Sequence, residues 1–325
     1  MRVFVTGATG FIGSAIVQEL INAGHQVLGL ARSDAGAKSL TAAGAQVHRG
    51  DLEDLESLRR GAANSDAVIH TAFNHDFSKY VANCESERRV IEALGSVLAG
   101  SNRLLIVTSV TGLTNSEPGL VSTEDDPPAN SKVAPRAASE EAAASVAARG
   151  VRVAIARLSQ VHDTIKQGLV TYAIQIARQK GVSAYVGDGL NRWPAAHRLD
   201  TAHLYRLALE KSDAGAGAQR AASKHDSSPV VDSSATPLAL CTELQRYHAV
   251  AEEGVPARDI AEAIARGLNV PAVSIAPEQA AGHFGWLAAF IGRDIPASSA
   301  QTRHKLGWDP TGPALLTDLE NMCYA

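Results

Sequence analysis

Residues 2–13 read RVFVTGATGFIG and indicate the fold class of the whole chain. An apolar strand runs into three glycines, Gly7, Gly10 and Gly13, at the start of an apolar helix. Glycine lets the backbone turn sharply and approach a pyrophosphate without a Cβ clash, while the free N–H groups of the helix N-terminus face the anion. Because strand, glycine turn and helix occur in this order, the segment predicts a dinucleotide-binding loop.

The first half of the chain repeats the same alternation. Further apolar strands are predicted at QVLGLAR, QVHRG, AVIHTA, NRLLIVTS and VRVAIARL, with a helical stretch between successive strands. Strands that are apolar throughout and alternate with helices are typical of a parallel sheet covered on both faces. Residues 1–163 are therefore predicted to form an α/β fold, a Rossmann-type doubly wound parallel sheet that binds the nucleotide.

The second half, residues 164–325, has a less regular pattern of helical stretches and two short strand candidates. It predicts a smaller, mixed C-terminal lobe that binds the substrate. Within it, residues 212–245 are rich in Ser, Ala, Asp and Pro and lack a sustained helix or strand period. A structureless stretch of this length is unusual inside a compact domain, so the segment is predicted to be a mobile surface insertion.

The bulk composition argues against several classes of protein. The net charge is −4, from 34 acidic and 30 basic residues, and no long run of either sign builds a field for nucleic acid or an anionic membrane. The apolar runs fall short of the ~20 residues that span a bilayer. The three cysteines form no CxxC pair, so neither a disulfide framework nor a metal site is predicted. A soluble cytoplasmic protein is expected.

The end of the second predicted strand bears on the choice of cofactor. An acidic residue there favours NAD, whereas this strand ends in Arg32 and Ser33. Arg32 can pair with a 2′-phosphate and Ser33 can add a hydrogen bond, so NADP(H) is predicted in preference to NAD(H); the alternative is a solvated Arg32. Asp51 either accepts from the adenine amino group or caps the next helix. The predicted cofactor-binding residues are Gly7, Thr9, Gly10, Phe11, Ile12, Gly13, Arg32, Ser33, Asp51, Leu52, Thr71 and Ala72.

Six segments spread along the chain carry motifs of one superfamily. They are TGATGFIG at 6–13, GDL at 50–52, VIHTA at 68–72, IVTSV at 106–110, ARLSQVH at 156–162 and RWPAAHRLDTAHLYRLALE at 192–210. Together they resemble the extended and atypical branches of the short-chain dehydrogenase/reductases. The resemblance implies NAD(P)(H) binding and oxidoreductase, epimerase or dehydratase chemistry. It also implies that Ser109 is the catalytic serine, and that His162 stands where a tyrosine is usual, in the element facing the nicotinamide.

One element of that superfamily is missing from this sequence. The superfamily has Tyr-x-x-x-Lys at the start of a helix after the serine, but SKVAPRAASEE at 131–141 contains no tyrosine. Lys132 stands at the tyrosine position and Arg136 at the lysine position. Hydride delivery to a carbonyl leaves an alkoxide that needs a proton. Ser109 can polarise the carbonyl, and Arg136 can hold the nicotinamide ribose. The candidate proton donors are Lys132, His162 and His75.

The loop TAFNHDFSKY at 71–80 is predicted to border the substrate. The predicted substrate-pocket residues are Phe73, Asn74, His75, Tyr80 and Trp193. Four of the candidate residues also have a structural alternative. Ser109 can serve as a hydrogen-bonding loop residue, Lys132 as a solvated residue, His162 as a side chain packed over the cofactor, and Trp193 as core.

Three functions are open at this point. The favoured hypothesis is an NADPH-dependent ketone or aldehyde reductase for a small, partly apolar substrate, with a proton donor other than tyrosine. The alternative is an NADP(H)-binding redox sensor that regulates another protein without turnover. A nucleotide-sugar epimerase or dehydratase is the weakest option, because its chemistry depends most on the missing tyrosine. The resemblance also implies a homodimer formed through the helices around 85–100 and 136–149.

Overall fold

A computed structural model describes residues 1–114, 119–224 and 244–324. The strands are β1 (Arg2–Thr6), β2 (Gln26–Ala31), β3 (Gln46–Arg49), β4 (Ala67–His70), β5 (Leu104–Val110), β6 (Arg152–Leu158), β7 (Gln160–His162), β8 (Ser183–Val186), β9 (Arg192–His197), β10 (Gln245–Ala249), β11 (Glu252–Pro256) and β12 (Ala272–Ile275). The α-helices are α1 (Phe11–Asn22), α2 (Asp34–Ala42), α3 (Leu55–Ala63), α4 (Tyr80–Ser96), α5 (Ala138–Ala148), α6 (Val170–Lys180), α7 (Arg198–Lys224), α8 (Ala257–Leu268), α9 (Ala280–Phe284), α10 (Ala288–Ile291), α11 (Ala300–Leu306) and α12 (Leu315–Asn321).

Seven strands form one parallel sheet in the order β10-β6-β5-β4-β1-β2-β3. Strands β2 and β3 follow β1 toward one edge of the sheet, whereas β5, β6 and β10 follow β4 toward the other edge. The strand order therefore reverses between β1 and β4, which is where doubly wound sheets bind their ligands, beyond the carboxyl ends of the strands. The predicted α/β fold with a Rossmann-type sheet is confirmed.

Side chains that alternate along each strand supply a core on both faces of this sheet. Val3 and Val5 point to one face, where α1, α2 and α7 pack, and Phe4 points to the other, where α3, α4 and α5 pack. Full burial of a large apolar side chain such as Phe4 stabilises the fold by about 1.5–3 kcal/mol. The described part of the chain contains no helix with the length and apolar character needed to cross a membrane.

The C-terminal lobe is smaller and mixed, as predicted. It contains a three-stranded sheet, β11-β9-β7, and a two-stranded sheet, β12-β8. Helices α6 and α8 and the short helices that follow enclose a separate apolar core around Trp193, Ile264, Phe284 and Leu315.

The proposed division at residue 163 does not separate the chain into two independent sheets. Helix α7 packs on α1, and β10 pairs with β6, so the second half of the chain extends the large sheet. Helix α7 also runs through residues 212–224, the first part of the predicted insertion. The middle of that segment, residues 225–243, lies outside the described residues, and its predicted mobility stays a prediction.

Candidate active site at the carboxyl ends of the parallel strands

The glycine loop lies at the point where the strand order reverses. Gly7 adopts a φ of +68°, which favours glycine, and a Cβ atom there would lie 2.7 Å from Thr71 Oγ1. A Cβ on Gly13 would lie 2.0 Å from the carbonyl oxygen of Gly7. Gly10, the N-cap residue of α1, has no side chain to occupy the first N–H groups of the helix. The loop therefore fits the pyrophosphate of a dinucleotide.

The other predicted cofactor residues follow the same edge of the sheet. Arg32 is exposed directly after β2. Ser33 Oγ accepts a hydrogen bond of 3.1 Å from a backbone N–H in the first turn of α2 and caps that helix. Asp51 Oδ1 accepts from two backbone N–H groups of the turn before α3, at 2.8 and 3.2 Å. Asp51 thus holds that turn, while the N-cap of α3 itself is Asp54.

Two cations from the second half of the chain reach the start of α1. The guanidinium of Arg198 lies 4.9 Å from the ring centroid of Phe11, and the ammonium of Lys166 lies 5.9 Å from it. Arg198 also donates to Ser14 Oγ at 2.7 Å and pairs with Asp163 Oδ2 at 3.2 Å. Neither cation was predicted from the sequence, because their place beside the glycine loop depends on the packing of the two halves.

Ser109 is fully buried on the face of the sheet covered by α5. Its hydroxyl donates to Glu140 Oε1 at 2.8 Å. Arg157 forms a bidentate ion pair with the same carboxylate, with one hydrogen bond of 2.8 Å to each oxygen. Burial opposes ionisation of Glu140, but the bonds from Arg157 and Ser109 hold its pKa below the usual value. The Ser109 hydroxyl is therefore occupied by a buried ion pair, and its predicted catalytic role stays a prediction.

Arg136 is nearly buried and is held by three contacts. It donates to the carbonyl oxygen of Thr108 at 3.0 Å, and its Nη1 lies 2.6 Å from Glu87 Oε2. Its guanidinium carbon lies 4.5 Å from the ring centroid of Phe73. Burial raises the pKa of Glu87 to about 7, although the positive charge of Arg136 opposes the rise. These contacts place a positive charge beside the end of β4.

His70 continues this buried polar cluster toward the glycine loop. Its Nδ1 lies 2.7 Å from Thr6 Oγ1, and its Nε2 lies 3.8 Å from Glu87 Oε1. Burial, with the nearby charge of Arg136, lowers the pKa of His70 to about 3, so the ring is neutral near pH 7. In the VIHTA segment, Thr71 and Ala72 were predicted to bind the cofactor, whereas no role was predicted for His70 or for Glu87.

The candidate proton donors lie in different surroundings. Lys132 is exposed in the turn before α5, and its backbone N–H donates to Asn130 Oδ1 at 2.9 Å. His75 lies on the loop between β4 and α4, edge-on to Phe73 with ring centroids 5.2 Å apart. Desolvation of its ring, together with the charges of Lys166 and Arg136, lowers the pKa of His75. Both side chains are exposed, but His75 contacts Phe73, whereas Lys132 lies in the turn before α5.

His162 is buried in the C-terminal lobe rather than open to the cleft. Its Nδ1 lies 2.7 Å from Asp318 Oδ2, and its Nε2 lies 3.9 Å from Glu252 Oε2. Burial lowers the pKa of His162, while the hydrogen bond with Asp318 opposes that shift. This arrangement is that of a structural histidine–carboxylate pair.

Replacing His162 by alanine is expected to lower the free energy of unfolding by about 1–3 kcal/mol, because Asp318 would be left buried without its partner. Urea unfolding at neutral pH measures the effect. The matched control is His203→Ala, since His203 also pairs with a carboxylate, Glu19, at 2.8 Å but is over a third exposed; its loss should cost under about 1 kcal/mol. Equal losses for the two variants would contradict a special role for burial at His162.

An aromatic cluster joins the loop after β4 to the C-terminal lobe, at a junction that is called the cleft below. The sequence has 6 Phe, 6 Tyr and 3 Trp residues, and six of these fifteen lie here: Phe73, Phe77, Tyr80, Tyr172, Trp286 and Phe290. Phe77 and Trp286 stack with their centroids 4.2 Å apart and an angle of 11° between the rings. None of the six is fully buried, and Trp286 is 41% exposed. Such a surface is typical of a binding wall for an apolar ligand.

The predicted pocket residues divide between this cleft and the core. Phe73, Asn74, His75 and Tyr80 all lie on the loop or at the start of α4, at the edge of the aromatic cluster. Trp193 lies instead in the core of the C-terminal lobe, 2% exposed, and its indole N–H donates to the carbonyl oxygen of Arg293 at 3.2 Å. Trp193 is therefore a core residue, as its structural alternative predicted, and it is not part of the aromatic cluster.

Comparison with known proteins agrees with this geometry. The model of the NAD dependent epimerase/dehydratase family matches residues 3–220, well over half of the chain. The protein belongs to this family. The family binds a nicotinamide dinucleotide, and the predicted resemblance to the extended short-chain dehydrogenase/reductases is confirmed. The glycine loop of this epimerase/dehydratase-family protein is the element that fits the cofactor's pyrophosphate.

Individual relatives span most or all of this epimerase/dehydratase-family chain. "Uncharacterized protein C2A9.02" of Schizosaccharomyces pombe is 44% identical over 328 residues and covers both chains completely. The 2-alkyl-3-oxoalkanoate reductase of Stenotrophomonas maltophilia is 30% identical over 228 residues, 66% of this chain and 67% of that protein. The crystal structure of Thermus thermophilus UDP-glucose 4-epimerase with NAD superposes with a TM-score of 0.68 at 20% identity, covering 98% of this chain and 97% of the other. That structural likeness supports the fold.

Proposed function

We propose that this protein is an NADPH-dependent oxidoreductase that reduces a ketone or aldehyde group in a small, partly apolar molecule. The aromatic cluster carries the proposal, because six aromatic side chains remain partly exposed beside the carboxyl end of β4. A wall of this kind binds apolar carbon surface. The similarity to 2-alkyl-3-oxoalkanoate reductase agrees with a carbonyl substrate that has an apolar part.

The residues around the cleft suit this chemistry. When bound, the reduced nicotinamide supplies the hydride. The aromatic wall holds the substrate and excludes water from the reacting carbonyl. Arg136, whose guanidinium lies 4.5 Å from the Phe73 ring, supplies positive charge where negative charge develops on the carbonyl oxygen.

The proposal is tested by following absorbance at 340 nm while the purified protein meets NADPH and a panel of ketones and aldehydes with apolar substituents of increasing size. Consumption of NADPH that increases with apolar substituent size supports the reductase. Tight NADPH binding without consumption across the panel would overturn it and favour the redox-sensor alternative. UDP-glucose is included because of the likeness to UDP-glucose 4-epimerase, and formation of UDP-galactose would favour the epimerase instead.

The preference for NADPH is a separate prediction that rests on Arg32. Arg32→Ala is expected to raise the Kd for NADPH by about 10–100-fold, equivalent to 1.4–2.8 kcal/mol, and to leave the Kd for NADH within about twofold. Quenching of protein fluorescence on titration with each cofactor measures both constants. Lys38→Ala is the control, because Lys38 is also exposed but lies one turn into α2. An equal loss for NADH would show that Arg32 does not select the 2′-phosphate.

The assembly and the compartment also remain proposals. Helices α4 and α5, on which the expected homodimer depends, pack closely against each other and keep exposed outer faces. We propose a cytoplasmic homodimer formed through this pair. Light scattering after size-exclusion chromatography tests the homodimer, and a mass equal to that of one chain would contradict it.

A further inference from the structure

One face of α4 carries three chemically active side chains. Tyr80, Cys84 and Glu87 follow one another at the i, i+4 and i+7 positions, so they line the same side of the helix. Cys84 is 1% exposed and Glu87 is 5% exposed, whereas Tyr80, at the first turn, is partly exposed to the cleft. The face therefore runs from the aromatic cluster into the buried polar cluster.

This face meets Arg136, the residue that stands at the superfamily's lysine position. Arg136 Nη1 lies 2.6 Å from Glu87 Oε2, which fixes the guanidinium against α4. The same guanidinium lies over the ring of Phe73, and the Tyr80 ring is edge-on to Phe73 with centroids 6.4 Å apart. Tyr80 and Arg136 thus both contact Phe73. Phe73 lies two residues after Thr71, which is next to Gly7 of the glycine loop.

Positive charge at the start of α4 opposes the rise that burial causes in the pKa of Tyr80. Tyr80 is the first residue of a helix of 17 residues, and the positive end of the helix dipole stabilises an anion there. The positive charges of Arg136 and Arg293 act in the same direction. These positive charges offset part of the cost that burial imposes on a phenolate at this position.

We propose that Tyr80 donates the proton in the reduction and that Arg136 stabilises the phenolate left behind. This inference rests on the proposed reductase function and supplies the acid that the SKVAPRAASEE segment lacks. The substrate carbonyl carbon gains a hydride from the reduced nicotinamide, and the C=O π pair moves to oxygen. That oxygen takes the Tyr80 proton, and solvent then returns a proton to the phenolate. The substrate is reduced by two electrons and the nicotinamide is oxidised by two.

The protonation state of Tyr80 agrees with this role. Burial, with the neighbouring Cys84 and Glu87, raises the pKa of Tyr80 to about 12, and Arg136 and Arg293 oppose the rise. The phenol is therefore protonated across the neutral range and is always in the donating form. The other cleft tyrosine, Tyr172, contacts Phe77 and Trp286 edge-on and lies on the side of the C-terminal lobe.

The test is Tyr80→Phe, which keeps the ring and removes only the hydroxyl. The rate of NADPH oxidation in a single turnover with an active ketone is expected to fall at least about 100-fold, while the Kd for NADPH from fluorescence stays within about twofold. Tyr185→Phe is the matched control, because it removes a phenol hydroxyl from β8, in the C-terminal lobe. Its turnover is expected to match the unmodified protein.

A second variant gives a signature that a structural role would not produce. Tyr80→His places a donor with an ordinary pKa of about 6.5 at the same position. Its turnover is expected to be highest below that pH and to fall tenfold per unit as pH rises above it, whereas the unmodified protein keeps the protonated donor from pH 6 to 9. A flat profile for Tyr80→His would overturn the inference.

The outcomes separate this inference from the proposed function. If the unmodified protein oxidises no NADPH with any carbonyl compound, the reductase proposal fails and takes the inference with it. If the unmodified protein is active and Tyr80→Phe retains more than about a third of its rate, Tyr80 is not the donor, and the reductase proposal stands.

Discussion

Replacement of Glu140 by leucine is expected to lower the free energy of unfolding by about 3–5 kcal/mol, because it leaves the wholly buried Arg157 guanidinium without its counter-charge. Glu140 also accepts from the Ser109 hydroxyl at 2.8 Å and forms an ion pair with Arg246, whose Nε lies 3.5 Å away, so Arg157 and Ser109 lose their acceptor and Arg246 loses its counter-charge. The midpoint of urea unfolding, followed by circular dichroism, measures the loss. A fall of less than about 1 kcal/mol would show that water reaches the cluster.

Two companion variants locate the cause of this loss. Glu140→Leu combined with Arg157→Met is expected to recover most of the stability, because a buried ion pair replaced by apolar side chains is often neutral or stabilising. Ser109→Ala removes one hydrogen bond but leaves the two bonds between Arg157 and Glu140 intact, so it should cost about 1 kcal/mol. The same variant tests the predicted role of Ser109 in catalysis: a large loss of turnover in the folded protein would support that role.

Replacement of Gly13 by valine is expected to weaken the binding of both NADPH and NADH by at least about 100-fold. A Cβ at this position would lie 2.0 Å from the carbonyl oxygen of Gly7 and 2.7 Å from its carbonyl carbon, so the loop and α1 must move apart. The loss of two charge-assisted backbone hydrogen bonds to the pyrophosphate, at about 1.5 kcal/mol each, accounts for this factor. Fluorescence titration with each cofactor provides the measurement.

The control for this variant lies at the other end of the same helix. Gly24 follows α1 with a φ of +83°, and a Cβ there would meet nothing within 4 Å. Gly24→Asn is tolerated in this backbone region and should leave both dissociation constants unchanged. If Gly13→Val still binds either cofactor with unchanged affinity, the loop between β1 and α1 is not the pyrophosphate site.

Local pattern was sufficient to predict the nucleotide-binding half. The strands around Val3, Val27 and Ile106 are apolar throughout because a parallel sheet is covered on both faces, and this signal is present in any short window of sequence. The glycine loop was also predictable, since Gly7 and Gly13 are needed for a positive φ and a close approach that other residues cannot adopt.

The candidate site was predictable only in part, because local sequence does not show which way a strand-end side chain is turned or what it meets. Ser109 is on the predicted strand, but its hydroxyl binds Glu140 on the α5 side of the sheet. His162 was predicted to lie in the element facing the nicotinamide, but it pairs with Asp318, more than 150 positions later in the chain. Tyr80 was predicted as a pocket residue, but no local pattern in the sequence associates it with Arg136.

By itself the amino-acid sequence determined the α/β class, the dinucleotide loop and the absence of tyrosine from residues 131–141, since each depends on residues that are neighbours along the chain. Only the tertiary structure decided which charges face one another, namely Glu87 with Arg136 and Glu140 with Arg157. It also brought together six aromatic residues that are scattered along the sequence. The physical reason is that ion pairs and ring stacking act over a few ångströms in space, and the packing of α4, α5 and the C-terminal lobe sets those distances.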